Sequence, residues 1–203
     1  RFKALFDLGL YQFADDSYQD GRLSWNQALD TEVSTAENLT HQGQILAVQR
    51  RYEEAIASYE RAVDIKPDKH DAWNNRGIAL DDLGRYEEAI ASYDRAVDIK
   101  PDKHEAWYNR GIALQNLGRY EDAIASYERA VDIKPDDHDA WNNRGIALQN
   151  LGRYEEAIAS YDKALEIKSD YELAQNNRRQ ALKKLKSPLR RLATWFQGWI
   201  GNE

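Results

Sequence analysis

The stretch His104–Asp137, HEAWYNRGIALQNLGRYEDAIASYERAVDIKPDD, decides the architecture, because the 34 residues before it, His70–Lys103, are nearly the same string. Seven positions differ: Asp71/Glu105, Asn74/Tyr108, Asp81/Gln115, Asp82/Asn116, Glu88/Asp122, Asp94/Glu128 and Lys103/Asp137. The same phase runs forward through His138–Tyr171 and backward through Ala36–Lys69, a period of 34 residues. A chain with such a period is an array whose units bury their apolar faces on their neighbours. Length divided by period then counts repeats within one elongated domain.

Within the unit, Ala106, Trp107, Gly111, Ile112, Leu114 and Leu117 fall at helical spacing, and so do Tyr120, Ala123, Ile124, Tyr127, Ala130, Val131 and Ile133. These predict two helices, A and B, broken at Gly118-Arg119, with Pro135 ending helix B. Asp136 is placed to cap the next helix A, with Asp139 three residues on. Gly77, Gly111 and Gly145 recur inside helix A, where glycine costs about 1 kcal/mol relative to alanine, so close packing must compensate. Ala89, Ala123 and Ala157 on helix B would allow that approach. Trp73, Trp107, Trp141 and Tyr93, Tyr127, Tyr161 would fill the core between pairs.

Trp at position 4 of the unit, Gly at 8, Ala at 20, Tyr at 24, Ala at 27 and Pro at 32 resemble the tetratricopeptide repeat, in register over most of the chain. Two positions depart from that pattern: Arg76, Arg110 and Arg144 replace the family's Leu at position 7, and Leu80, Leu114 and Leu148 its aromatic at position 11. The resemblance implies an all-α fold, a right-handed superhelical solenoid of helix-turn-helix repeats with a C-terminal capping helix. The expected organisation is a degenerate N-terminal repeat or a separate cap over 1–35, repeats at 36–69, 70–103, 104–137 and 138–171, a capping helix at 172–186, and an amphipathic helix at 187–203.

The first stretch reads as a helix from Phe2 to Ala14 and, after a capping box at Ser17 and Asp20, a second to Leu29. Ser169 replaces the terminal Pro of the last repeat and can cap the next helix with Glu172. At the other end, Leu189, Leu192, Ala193, Phe196, Trp199 and Ile200 form one helical face. Three surfaces compete for it, in this order: the end of its own solenoid, the groove or end of a second copy, and an anionic membrane drawn by Arg190 and Arg191.

Composition excludes several chemistries. With no Cys there is no disulfide, thiolate site or catalytic thiol. His70, His104 and His138 lie one repeat apart, too far for one ion, and His41 is out of phase with them, so no metal site is expected. No nucleophile elbow, phosphate loop or zinc signature occurs, so neither an enzyme nor a cofactor is expected. The net charge is −7, and residues 172–203 alone carry +5, leaving an acidic body that argues against nucleic acid. No signal-type or membrane-spanning run is visible, which favours the cytoplasm. The chain opens at Arg1 without an initiator Met, as a piece of a longer protein would.

The resemblance implies a protein-interaction scaffold that holds a peptide or helix of a partner in its concave groove. The alternative is a self-assembling module whose groove or end is filled by another copy, with the C-terminal helix as the route to a homo-oligomer. The family's groove positions select Asp71, Asn74, Asn75, Ile78, Glu105, Tyr108, Asn109, Ile112, Asp139, Asn142, Asn143 and Ile146. Asn75, Asn109 and Asn143 stand where family members hold a ligand backbone with an amide. The Lys and Arg that clamp a carboxylate in some relatives are missing from these positions, so the expected ligand is neutral or basic rather than acidic. The Arg ladder at position 7 is expected to pack its stems on apolar surface and pair with acids of the same or next repeat.

Overall fold

The computed structural model describes residues 2–14, 18–29 and 34–187. Ser17 of the expected capping box, and the expected terminal helix from residue 188 onward, lie outside them. Eleven α-helices are described: α1 (Phe2–Ala14), α2 (Tyr18–Leu29), α3 (Ala36–Val48), α4 (Tyr52–Ile65), α5 (His70–Asp82), α6 (Tyr86–Ile99), α7 (His104–Asn116), α8 (Tyr120–Ile133), α9 (His138–Asn150), α10 (Tyr154–Ile167) and α11 (Glu172–Leu185). The chain divides into two compact units, Arg1–Pro101 and Asp102–Glu203. Sequence reading expected one elongated domain. In a stack where each pair touches only its neighbours, contacts are local, and a division in the turn between α6 and α7 follows.

In the first unit α1 packs on α2, α3 on α4 and α5 on α6, with α4 meeting α5 and α1, α3 and α5 touching in turn. In the second, α7 packs on α8, α9 on α10 and α10 on α11, and α9 touches both α7 and α11. The odd-numbered helices therefore line one face of each stack.

Helix B forms because its apolar residues recur on one stripe. In α8 the buried set is Ala123, Ile124, Ser126, Tyr127, Ala130 and Val131. Glu121 and Asp122 in its first turn favour the positive end of the helix dipole. Tyr59, Tyr93, Tyr127 and Tyr161 are the largest fully buried side chains, and each such ring takes roughly 150–250 Å² out of water. Their rings lie on the helix A glycines of their own repeats: a Cβ on Gly77, Gly111 or Gly145 would meet Cε1 of Tyr93, Tyr127 or Tyr161 at 2.5 Å. The expected close approach is thus between a glycine and a ring, rather than between a glycine and the alanine four residues before that ring.

Trp73, Trp107 and Trp141 are half-buried and pack against the edge of the core. Trp73 Nε1 donates to the Pro67 carbonyl at 2.9 Å and Trp141 Nε1 to the Pro135 carbonyl at 3.0 Å, so the indole staples the turn before its helix. Gln175, at the Trp position of α11, makes the same bond to the Ser169 carbonyl at 2.9 Å.

Helix A ends in a left-handed residue. Gly118 has φ +74°, and the Arg119 N–H reaches back to the Leu114 carbonyl at 2.9 Å. In the repeat at 36–69 that place is taken by Arg50, with φ +60°, followed by the same bond from Arg51 to Leu46 at 2.9 Å.

Two expected caps are corrected. Asp137, not Asp136, caps α9 by accepting from the Ala140 N–H, because helix A starts one residue later than the pattern suggested. α11 starts after Tyr171 with no side-chain cap, so Ser169 does not fill that role.

α1 and α2 join the first stack through Phe2, Phe6, Trp25 and Ala28, buried with Leu39, Ile45 and Val63. Trp25 Nε1 donates to the Phe6 carbonyl at 3.2 Å. No helix among the described residues is long and apolar enough to cross a membrane.

Candidate functional site

The Arg ladder is structural. Arg144 donates from Nη1 to Ser160 Oγ at 2.6 Å and from Nη2 to Glu128 Oε1 at 2.7 Å, and it stands over the Trp141 ring at 5.9 Å. Arg76 repeats the pattern with Ser92 at 2.6 Å and Glu60 at 2.8 Å. Arg178 pairs with Asp162. The acid comes from the preceding repeat, where sequence reading had named the same or the next one. The second anchor is a serine of helix B, which the sequence reading missed. A planar fork reaching a hydroxyl and a carboxylate at once is something Lys cannot replace.

On the odd-helix face of the second unit, four polar side chains form one directed chain. Asn177 Nδ2 donates to Asn142 Oδ1 at 3.0 Å, Asn142 Nδ2 to Asn143 Oδ1 at 3.4 Å, and Asn143 Nδ2 to the Tyr108 hydroxyl at 3.0 Å. Asn142 is only 3% exposed, so it forms part of the wall and offers nothing to a ligand. Burial, then Asp139 and Asp137, push the Tyr108 phenol up against the opposing pull of Asn143, so it stays protonated. The Tyr171 hydroxyl donates to Asp139 Oδ1 at 2.6 Å. Ile112, Asn109, Asn143 and Ile146 are half-buried along this face, and Glu105 is exposed beside His104.

On the first unit, Asn74 is buried and hands its Nδ2 to Asn75 Oδ1 at 3.4 Å. Asn75 and Ile78 line a cavity of about 490 Å³ with Phe6, Leu10, Trp25, Gln44, Ile45, Ala47, Val48 and Tyr59. That volume lies within the roughly 300–1,000 Å³ typical of ligand pockets. Leu10, Val48 and Ile78, from three successive odd helices, are 47%, 61% and 39% exposed. Of the twelve residues selected from sequence, only Asn75 and Ile78 meet here, while Asp71 lies beside His70 at 3.2 Å. The pocket's other lining residues are not among the twelve because those positions were taken only from His70 onward. The same phase in 36–69 gives Gln44, Ala47 and Val48, and in the worn first repeat Phe6 and Leu10.

His41 holds the position occupied by Asn in the later repeats. It stacks on Phe6 at 4.4 Å, its Nδ1 is buried without a hydrogen-bond partner, and burial followed by Lys3 lowers its pKa. His70, His104 and His138 each sit beside the acid that follows them. Among the described residues no group of three or more His, Asp or Glu could hold a metal.

Paired helices at a 34-residue period, stacked with one face of odd helices, define a helical-repeat protein. A tetratricopeptide repeat family model matches residues 40–104 and 108–172, and the chain belongs to that family. Proteins of this family mediate binding of proteins and peptides. The fold is similar to that of YrrB, described as a repeat protein of this family with an unusual peptide-binding site, at 23% identity and a TM-score of 0.68, covering 86% of this chain and 90% of that one. It is also similar to two structures of MamA. One has 23% identity and a TM-score of 0.70, covering 79% and 94% of the two chains. The other has 24% identity and a TM-score of 0.69, covering 84% and 95%. A comparison with curated protein sequences gives no match.

Proposed function

We propose that the odd-helix face is a scaffold for a segment of a partner protein, and that the segment anchors an apolar side chain in the cavity between Leu10, Val48 and Ile78. The observation that carries this reading is that cavity: large, open, and walled by aliphatic and aromatic carbon, with the Gln44 and Asn75 amides at its side. An apolar surface of this kind left in water forgoes about 25 cal/mol per Å², which a docked segment recovers. Gln44 and Asn75 can each donate and accept, and so suit a ligand backbone.

The ligand is neutral or basic. Asp71 exposes about half of its side chain on the odd-helix face of the first unit, and none of the groove positions from residue 36 to residue 171 carries Lys or Arg to receive a carboxylate. The family supplies binding and no reaction, and the proposed role is non-catalytic. The described helices and the proposed site fit a protein that works in an aqueous compartment.

The test is fluorescence titration of the full chain with two labelled peptides that share an apolar core, one flanked by Lys and one by Glu. The Lys-flanked peptide is expected to bind more tightly, and Ile78→Glu and Val48→Glu to abolish binding while circular dichroism stays helical. Equal affinity for both peptides, or binding untouched by either variant, would overturn this reading.

A further inference from the structure

We propose that the first unit carries a second binding site, for a phosphate monoester group, in the pocket where α2 meets the turn between α3 and α4. The pocket has a volume of about 370 Å³ and is lined by Arg22, Trp25, Asn26, Val48, Gln49, Arg50 and Arg51. Trp25 and Val48 also wall the apolar cavity, but the chemistry on this side is different.

The first observation is what these side chains have left to offer. Arg51 is held by Glu54, with Nε on Oε1 at 2.7 Å and Nη2 on Oε2 at 2.6 Å, and its Nη1 donates to Gln49 Oε1 at 3.3 Å. Gln49 Nε2 in turn donates to Asn26 Oδ1 at 3.0 Å. This run of bonds ties α2 to the α3–α4 turn and uses both side-chain acceptors of the lining. What remains is donors: the Asn26 amide nitrogen and the guanidinium groups of Arg22 and Arg50, which no ion pair engages among the described residues. A pocket that offers donors and no side-chain acceptor suits an anion rich in acceptor oxygens.

The second is charge. Three arginines against the one paired Glu54 leave the pocket at +2, in a chain whose net charge is −7. A phosphate monoester near neutral pH carries about −1.5 to −2 and matches it, whereas a carboxylate brings a single charge. Two planar guanidinium forks can grip its oxygens in pairs. The Trp25 ring and the Val48 side chain leave apolar surface for the carbon that carries the ester.

The third is the contrast with the other repeats. The positions of Arg22, Asn26, Gln49 and Arg50 read Ile56, Glu60, Leu83 and Gly84 one repeat later, and the two repeats after that keep Ile, an acid, Leu and Gly. Two arginines and no acid thus stand where the later repeats have one acid and no arginine. Arg50 holds its place at φ +60°, where the later repeats use glycine. A side chain kept in strain at a pocket wall points to a use for that side chain.

The test is isothermal titration calorimetry of the full chain with three probes: inorganic phosphate, an uncharged peptide bearing one phosphoserine, and its unphosphorylated twin. Saturable binding is expected for at least one phosphate probe and not for the twin. Arg22→Gln and Arg50→Gly are each expected to weaken it about tenfold, as for the loss of a charge-assisted hydrogen bond. Lys134→Gln, which removes the same charge from the second unit, is expected to leave it unchanged. Arg50→Gly should do this while raising the melting temperature, so that lost binding is not lost fold. A phosphopeptide that binds more tightly than inorganic phosphate assigns the group to a phosphorylated partner segment, and the reverse order or equality assigns it to a free phosphate compound. The proposal is overturned by no saturable heat with either phosphate probe, by equal binding of the twin, or by affinities that Arg22→Gln and Arg50→Gly lower no further than Lys134→Gln does.

Discussion

Gly111 lies under the ring of Tyr127 so closely that a methyl group in its place would come within 2.5 Å of Cε1. The ring is fully buried and cannot swing aside. Gly111→Ala therefore sets an overpacking penalty of about 1–3 kcal/mol against a helix-propensity gain of about 1 kcal/mol. A net loss of stability is expected, read as a lower urea midpoint at unchanged slope. Tyr127→Leu in the same chain should recover part of it, since the obstruction is the ring; a silent Gly111→Ala would contradict this packing.

Arg50 carries the φ of +60° that the later repeats give to Gly84, Gly118 and Gly152. A side chain in the left-handed region costs about 1–2 kcal/mol, while glycine loses about 0.5–1 kcal/mol of chain entropy. Arg50→Gly is thus expected to stabilise the protein by up to about 1 kcal/mol. Thermal melting checks it, with Gly118→Arg as the mirror experiment that should destabilise.

How far the sequence could be read follows from these same residues. The helices and their order were legible because near-identical units repeat in phase, so each apolar stripe is seen several times. The partner of Arg144 was harder: whether Glu128 comes from before or after depends on how pairs stack, and a linear string holds no such offset. Asn74 and Asn142 sit on the groove phase yet are buried, because the neighbouring helix covers that edge. Phe6 and Leu10 were overlooked as groove residues because the first repeat keeps the phase but has lost most of the signature that announces it.

The Arg144 node separates two kinds of bond. Ser160 is 1% exposed, whereas Glu128 keeps about half of its side chain in water. Double-mutant cycles are expected to give about 1–2 kcal/mol of coupling between Arg144 and Ser160, and below about 1 kcal/mol between Arg144 and Glu128. Only the second should fall with added salt. Arg144→Lys should lose most of the first, because an ammonium cannot hold both partners in the plane.

His41 makes the first stack sensitive to acid. Burial, then Lys3 of α1, lower its pKa below the usual 6.5, and Lys69 adds to this while Glu37 of α3 and Asp7 of α1 oppose it. The unfolded chain therefore binds a proton more readily than the folded one, and stability rises with pH through the window. The contribution is complete above about pH 6.5 and is lost as pH falls from there through the lower folded value. His41→Asn, the residue found at this position in later repeats, should flatten the acid side of a melting profile between about pH 5 and 7. An unchanged slope would mean that His41 is not the group that titrates.

Tyr108 ends the directed chain that starts at Asn177 and passes through Asn142 and Asn143. Tyr108→Phe keeps the ring and its tilted contact with Tyr127 at 6.1 Å, and removes only the acceptor. Asn143 Nδ2 then has to find another partner, and because Asn143 is half-buried, water can supply one. The stability loss should therefore be modest, about 0.5–1.5 kcal/mol. Tyr108→Asn restores the residue that the neighbouring repeats carry at this position, and its shorter amide does not reach as far across the face as the phenol. The two variants together separate ring from hydroxyl. If both lose equal stability, the hydroxyl carries the interaction; if Tyr108→Phe is silent and Tyr108→Asn is not, the ring does, and the hydrogen-bonded chain contributes nothing at its end. The measurement is urea unfolding of the full chain. Protection of the Asn143 side-chain amide protons, followed by nuclear magnetic resonance, serves as the local readout and should fall in both variants.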